Sequence, residues 1–186
     1  MRKKLDRIIV IDVESTCWDD REEAKKNTSE IIQIGVAALD VNTLTVLQRS
    51  EYMVKPVFSK VSEFCTKLTG ITQEDVDEGV EYPEAIAALV EEYEVERRPW
   101  ASYGDYDRKQ FLHNCRLRSV PYPFGDRHIN VKTLVASAMG WPREEGMDVA
   151  MSFIGLELKG VHHRAGDDAA NVASILGFVL HGVREP

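Results

Sequence analysis

The apolar positions of the chain change their spacing partway along it. Ile8-Ile9-Val10-Ile11 is an unbroken β-branched run without Gly or Pro, the pattern of a strand buried on both faces. Ile31 to Leu39 predicts a second strand and Thr43 to Val54 a third, joined by a short Asp40-Val41-Asn42 turn. Three consecutive strands with a tight connection predict an antiparallel meander. The charged stretch between them, Trp18 to Glu30, has no apolar periodicity and reads as a loop or lid. From Val61 onward the spacing is helical. Val61 to Leu68 predicts a short helix stopped at Thr69-Gly70, and Thr72-Gln73-Glu74-Asp75 opens another with an acidic first turn. Pro83, at a first-turn position, leads an amphipathic helix to about Glu94. Trp100-Ala101-Ser102-Tyr103 predicts a fourth strand, followed by a helix from about Asp105 to Arg118. A short strand lies around Ile129-Asn130-Val131. Helices follow at Lys132 to Met139, Met147 to Ile154 and, the longest, Asp167 to about Val183.

Strands first and strand-helix alternation afterwards predict an α/β fold: a mixed five-stranded sheet flanked by helices, antiparallel in its first half and parallel in its second. The first strand can then be central, its carboxyl end opening at the switch between halves, where ligands bind in open sheets. No linker or repeat divides the 186 residues, so residues 1–186 read as one domain, and 44% apolar residues suffice for its core. The basic start Met1-Arg2-Lys3-Lys4 precedes an apolar run too short for a signal peptide or a membrane span. Cys17, Cys65 and Cys115, odd in number and without a C-x-x-C pair, read as free thiols of a cytoplasmic protein. A net charge of −8 excludes coating nucleic acid with a broad basic surface, but not gripping a single end.

The acidic residues carry the chemistry. Asp12 and Glu14, at i and i+2 of the first strand, share one face at its buried end. In the last helix Val172, Ile175, Leu176 and Val179 form an apolar stripe, and one turn back that stripe reaches Asp168 rather than Asp167. Asp107 lies one and two turns before Phe111 and Cys115 and so faces the core, whereas Asp105 shares a row with Lys109. Asp105 has an ordinary role open to it, capping its helix alone or with Ser102. Four inward-facing carboxylates from three elements are the inventory for two divalent ions that bridge attacking and leaving oxygens in phosphoryl chemistry. His162-His163, in a Gly-containing loop just before Asp168, supplies a general base. The H-x-x-x-x-D spacing has two registers, His162 with Asp167 and His163 with Asp168, and the stripe selects the second. None of the cysteines has a suitably spaced partner for nucleophilic work.

Asp12-Val13-Glu14-Ser15-Thr16-Cys17 after an apolar strand, G-D-Y-D-R-K-Q-F-L from Gly104, and H-R-A-G-D-D from His163 resemble the three motifs of the DEDD-superfamily 3′→5′ exonucleases, His subtype. E-F-C-T-K-L-T-G-I-T-Q-E-D-V with Tyr82-Pro83 is similar to the subfamily of histone-mRNA 3′ exonucleases and sporulation-inhibitor-type exonucleases. The resemblance runs from about Ile8 to Leu180. It implies an RNase H-like fold and a 3′→5′ exonuclease dependent on two Mg²⁺ or Mn²⁺ ions, releasing nucleoside 5′-monophosphates from a single-stranded 3′ end, RNA favoured. By resemblance Asp12, Glu14, Asp107 and Asp168 bind the metals, with Glu14 and His163 catalytic and His163 the base that activates water. Leu68 and Thr69 match positions that hold the terminal nucleotide, and the Val13 backbone lies near its sugar. Tyr106 falls where a stacking Trp occurs, so base preference is its own question. Two other readings stand beside this one: a DNA exonuclease of the proofreading type, and a catalytically silent nucleic-acid-binding regulator on the same fold.

Overall fold

The β-branched run becomes the middle of the sheet. In the computed structural model, which describes residues 2–184, strand β1 covers Arg7–Ser15, and Ile9, Val10 and Ile11 are fully buried. It pairs antiparallel with β2 (Ile31–Asp40), which pairs antiparallel with β3 (Val46–Met53). On its other side β1 runs parallel to β4 (Trp100–Ser102), and β4 parallel to β5 (His128–Asn130). The order β3-β2-β1-β4-β5 is the mixed sheet expected, with β1 at the switch. Met1, the first residue of the basic start, lies outside the described residues.

Alternation along β1 divides the core in two. Ile9, Ile11 and Val13 face a layer with Phe111, Leu89, Tyr93 and Trp100. Ile8 and Val10 face the other layer, where Val172, Ile175, Leu176 and Val179 form the buried stripe of the last helix. By the same alternation Asp12 and Glu14 belong to the last helix's side.

One expected loop is a helix. α1 (Arg21–Lys26) sits within the charged stretch, capped by Asp20, whose side chain accepts from the Glu22 and Glu23 amides. It buries nothing, so apolar periodicity could not report it; caps and a favourable charge order hold it. The other helices fall close to expectation: α2 (Glu63–Thr69), closed by Gly70 in the left-handed region, α3 (Gln73–Asp77), with a Thr72–Asp75 capping box, and α4 (Tyr82–Tyr93). They are followed by α5 (Tyr106–Leu117), α6 (Val131–Ala138), α7 (Met147–Phe153) and α8 (Ala165–Arg184). Asp105 precedes α5 but makes no capping bond through its side chain, and the Ser102 hydroxyl donates to the Gly104 carbonyl instead. The capping role expected of Asp105 is therefore not taken up. α8 starts two residues earlier than the pattern placed it, which sets Asp167 and Asp168 inside its first turn.

Candidate active site

β1 outruns β4. Its parallel pairing ends at Val10, so the strand continues past its neighbour with one edge open. Asp107, at the start of α5, closes that edge: the Val13 amide donates to its Oδ1 at 3.0 Å. A register shift between Glu14 and Ser15 bends the strand end just beyond the acids.

α8 reaches the same place from the other layer. Gly35, opposite Asp12 on β2, lies against the first turn of α8, where a β-carbon would overlap the Ala165 carbonyl. Gln33, opposite Glu14, accepts the Ala165 amide at 3.0 Å. These two β2 residues seat the helix end, and the sequence pattern gave no sign of either. Asp168 is thereby brought to Asp12 and Glu14, with ligand oxygens of the three within 4.8 Å of one another.

The histidine loop is fastened to the same turn. The His163 amide donates to Asp168 Oδ2 at 2.8 Å, and the Val161 amide to Asp167 Oδ2 at 2.9 Å. Asp167 also pairs with Arg49 at 2.8 Å, so this residue anchors the loop and faces away from the acid cluster. His163 adopts a positive φ of 65°, uncommon outside glycine, and its Nδ1 stands 3.9 Å from Glu14 Oε1. His162 stacks on it at 4.2 Å between ring centroids. Burial, with His162 beside it, holds the His163 imidazole below its ordinary pKa.

Four carboxylates packed this way cannot all ionise without a counter-charge. Burial, then Asp107, Glu14 and Asp168, push Asp12 well above the carboxylate range. Glu14 is pushed up to about 8, mainly by burial and then by Asp168, with Arg164 opposing. Burial lifts Asp107 to about 7 against hydrogen bonds from its own amide, the Val13 amide and Ser102. Asp168 is raised by burial too, although the His163 amide opposes. Its buried Oδ1 has no hydrogen-bond partner at all. An all-oxygen cluster with an unpaired inward oxygen fits hard divalent cations.

These groups open into a cavity of about 390 Å³. Asp12, Val13, Glu14, Asp107, Asp168, His162 and His163 line it, and so do Leu68 and Tyr106. Leu68 and Tyr106 are 41% and 52% exposed, leaving apolar surface open on the cavity wall. Thr69 is placed differently. It is buried, its hydroxyl donating to the Cys65 carbonyl and accepting from the Ile71 amide, so its side chain closes α2 and lies off the cavity wall. Lys132, Tyr103, Gly146, Met147, Asp148 and Cys17 also line the cavity. The cysteines, far apart in sequence, are not all far apart in space: Cys17 packs against the cluster that holds Cys65, whose thiol donates to the Ser15 carbonyl. All three cysteines are free.

A sequence model described as Exonuclease (RNase_T) matches residues 9–176. The chain is similar to 3′-5′ exoribonuclease 1 of Rattus norvegicus, 29% identical over 181 residues, covering 91% of this chain and 52% of that protein. It is similar also to the probable 3′-5′ exonuclease KapD of Bacillus subtilis (strain 168), 26% identical, covering 92% of this chain and 83% of that one. The chain spans about half the length of the curated 3′-5′ exoribonuclease 1 relatives it matches. Among solved structures, the nuclease domain of 3′hExo, a DEDDh family member bound to rAMP, matches with a TM-score of 0.88 at 26% identity, covering 98% of this chain and 95% of that one.

Proposed function

From the premise that this chain belongs to the exonuclease (RNase_T) family, we propose that it removes nucleotides one at a time from the 3′ end of single-stranded RNA, releasing nucleoside 5′-monophosphates. One observation carries this reading: Asp12, Glu14, Asp107 and Asp168 converge from three elements on one cavity, with His163 at its edge. RNA is favoured because relatives at 27–29% identity are named exoribonucleases and the similar nuclease domain is bound to rAMP.

Asp12, Glu14, Asp107 and Asp168 would hold two Mg²⁺ or Mn²⁺ ions, which would supply Lewis-acid charge at the scissile phosphate and ease deprotonation of the attacking water. His163 takes that proton on a ring nitrogen, for which the depressed imidazole pKa keeps it neutral at lower pH. Glu14, nearest to the imidazole, both binds metal and steadies the protonated ring. The attack of water is direct, so neither Cys17 nor any other side chain forms a covalent intermediate. Leu68 and Tyr106 receive the terminal nucleotide, Tyr106 by stacking against its base. Thr69 acts only by fixing the end of α2 that carries Leu68.

Digestion of matched 5′-labelled RNA and DNA oligonucleotides with Mg²⁺ tests the proposal. A one-nucleotide ladder from the RNA, abolished by EDTA and absent from circular RNA, is expected. Cleavage of the circle would make the protein an endonuclease, and a ladder from DNA alone would move it to the proofreading type.

A further inference from the structure

Most of the charge lining the cavity is negative. Asp12, Glu14, Asp107, Asp148 and Asp168 face it, and Lys132 is the one lysine or arginine on its wall among the described residues. A lysine in such company is expected to pair with an acid. Lys132 pairs with none among the described residues.

Its position is nonetheless set by the fold. Lys132 is the second residue of α6, directly after β5, so it emerges at the carboxyl end of a parallel strand, as do the ends of β1 and β4. Its stem passes Gly104, where an added β-carbon would meet Lys132 Cδ at 3.9 Å. The ammonium group stands 6.0 Å from the centre of the Tyr103 ring, and the Tyr103 hydroxyl is tied to the Glu145 carbonyl at 2.9 Å. The residue is half-buried and held. Its neighbours also differ from those of the terminal-nucleotide residues. Tyr106 lies by Ser15, Glu14 and Cys17, whereas Tyr103 lies by Lys132 and Asp148.

The metal-binding acids address the scissile phosphate and the Tyr106 wall receives the terminal nucleotide. Lys132 stands instead on the Tyr103 wall of the same cavity, where the strand upstream of the scissile bond has its only lysine or arginine among the described residues. We propose that Lys132 binds the phosphate one nucleotide upstream of the scissile bond, and so sets the shortest strand the site processes efficiently. The inference rests on the exonuclease reading above. A compact ammonium suits a phosphate diester read without regard to base.

Three substrates separate the possibilities. A dinucleoside monophosphate has only the scissile phosphate, a trinucleoside diphosphate adds the upstream one, and a hexanucleotide adds more. Wild-type kcat/KM is expected to rise about tenfold from dinucleotide to trinucleotide and little thereafter, as for one added charge-assisted contact. Lys132→Ala should lose about that tenfold on the two longer substrates and nothing on the dinucleotide, and Lys132→Arg should restore most of it. In binding measured by fluorescence anisotropy with Ca²⁺, the slope of log affinity against log salt for a labelled hexanucleotide should fall by about 0.7 in Lys132→Ala. Equal loss on all three substrates would assign Lys132 to the scissile phosphate and overturn the inference, as would no loss on any with an unchanged salt slope. If the wild type cleaved none of the three, the exonuclease reading would fail, and the salt slope would still decide whether Lys132 meets a phosphate.

Discussion

Gly35 on β2 and Ala165 at the start of α8 are in such close approach that no side chain fits between them: a β-carbon on Gly35 would overlap the Ala165 carbonyl. The contact fixes how far α8 advances over the sheet. Asp12 is Gly35's partner on β1, and Asp168 lies three residues beyond Ala165, so this approach sets the distance across the acid cluster. Gly35→Ala is expected to push α8 outward, costing about 1–3 kcal/mol of stability for overpacking. Activity should fall by roughly 10² as the carboxylates separate, since such geometry tolerates little displacement. Melting curves and single-turnover rates check this; a Gly35→Ala protein with wild-type rates would show that α8 is not seated by this glycine.

The acids divide by what they face. Asp12→Ala, Glu14→Ala, Asp107→Ala and Asp168→Ala should each nearly abolish hydrolysis. Asp105→Ala should keep most of it, because the Asp105 side chain makes no capping bond to lose. Asp167→Ala should fall between, since it frees the Val161 amide and Arg49 and loosens the loop that carries His163. Steady-state rates of the six variants in saturating Mg²⁺ provide the comparison. Asp105→Ala and Asp107→Ala losing equally would contradict the facing of α5.

That division was legible beforehand because a helix reports its own orientation. The stripe of Val172, Ile175, Leu176 and Val179 selects Asp168 over Asp167 without any tertiary knowledge, and Phe111 and Cys115 do the same for Asp107. The central place of β1 was equally readable, since a strand buried on both faces carries no polar side. What the pattern could not give depends on partners distant in sequence. Gln33 and Gly35 look like any polar or small residue in a strand until α8 lies on them. Glu30 reads as the end of a charged loop. It is in fact a fully buried carboxylate held by Arg118 at 2.5 Å and by the amides of Val57, Phe58 and Ser59. Cys17 packs against Cys65 where Ser62, which caps α2, also donates to the Cys17 carbonyl at 2.6 Å. Thr69 was placed on the site by motif alone, and its hydroxyl is spent on its own helix end.

The acid cluster should make metal-free stability fall as pH rises. Burial pushes Glu14 up to about 8 and Asp107 up to about 7 in the folded protein, both above their unfolded values near 4. Between those limits the folded state binds more protons than the unfolded state, so raising the pH destabilises. His163 and His128, with depressed pKa values, act in the opposite sense only below about 6.5, where unfolded histidine titrates. From about 6.5 to 8 the carboxylate effect is opposed by Cys65 alone among these groups, its thiol pulled down to about 7. The several raised carboxylates outweigh that one thiol. Melting temperature in EDTA should drop over that interval. Millimolar Mg²⁺ or Mn²⁺ should raise it and remove most of the slope, as a ligand selective for the folded state does. Glu14→Gln should flatten the EDTA curve, and an unchanged curve in that variant would exclude Glu14 as its source.

The two histidines, adjacent and stacked, both line the cavity, so position alone does not separate them. Their attachments do. His163 is held to Asp168 through its amide and presents Nδ1 toward Glu14, whereas His162 stacks on His163, makes no hydrogen bond to the acids, and brings a ring nitrogen only to within 4.8 Å of Asp168. His163→Ala is expected to lower kcat by roughly 10²–10⁴, the range for loss of a general base. Its Mg²⁺-induced rise in melting temperature should persist, because the imidazole is proposed to act on water and not as a metal ligand. His162→Ala should be mild in rate at pH 8, but it removes a neighbour whose charge depresses the His163 pKa. Only neutral imidazole accepts a proton, so the wild-type rate climbs with pH as His163 deprotonates, and in His162→Ala that climb should shift to higher pH. Rate profiles from pH 5 to 9 for the wild type and both variants carry the test. An inactive His162→Ala beside an active His163→Ala would transfer the role of base to His162, and with it the register that pairs His162 with Asp167.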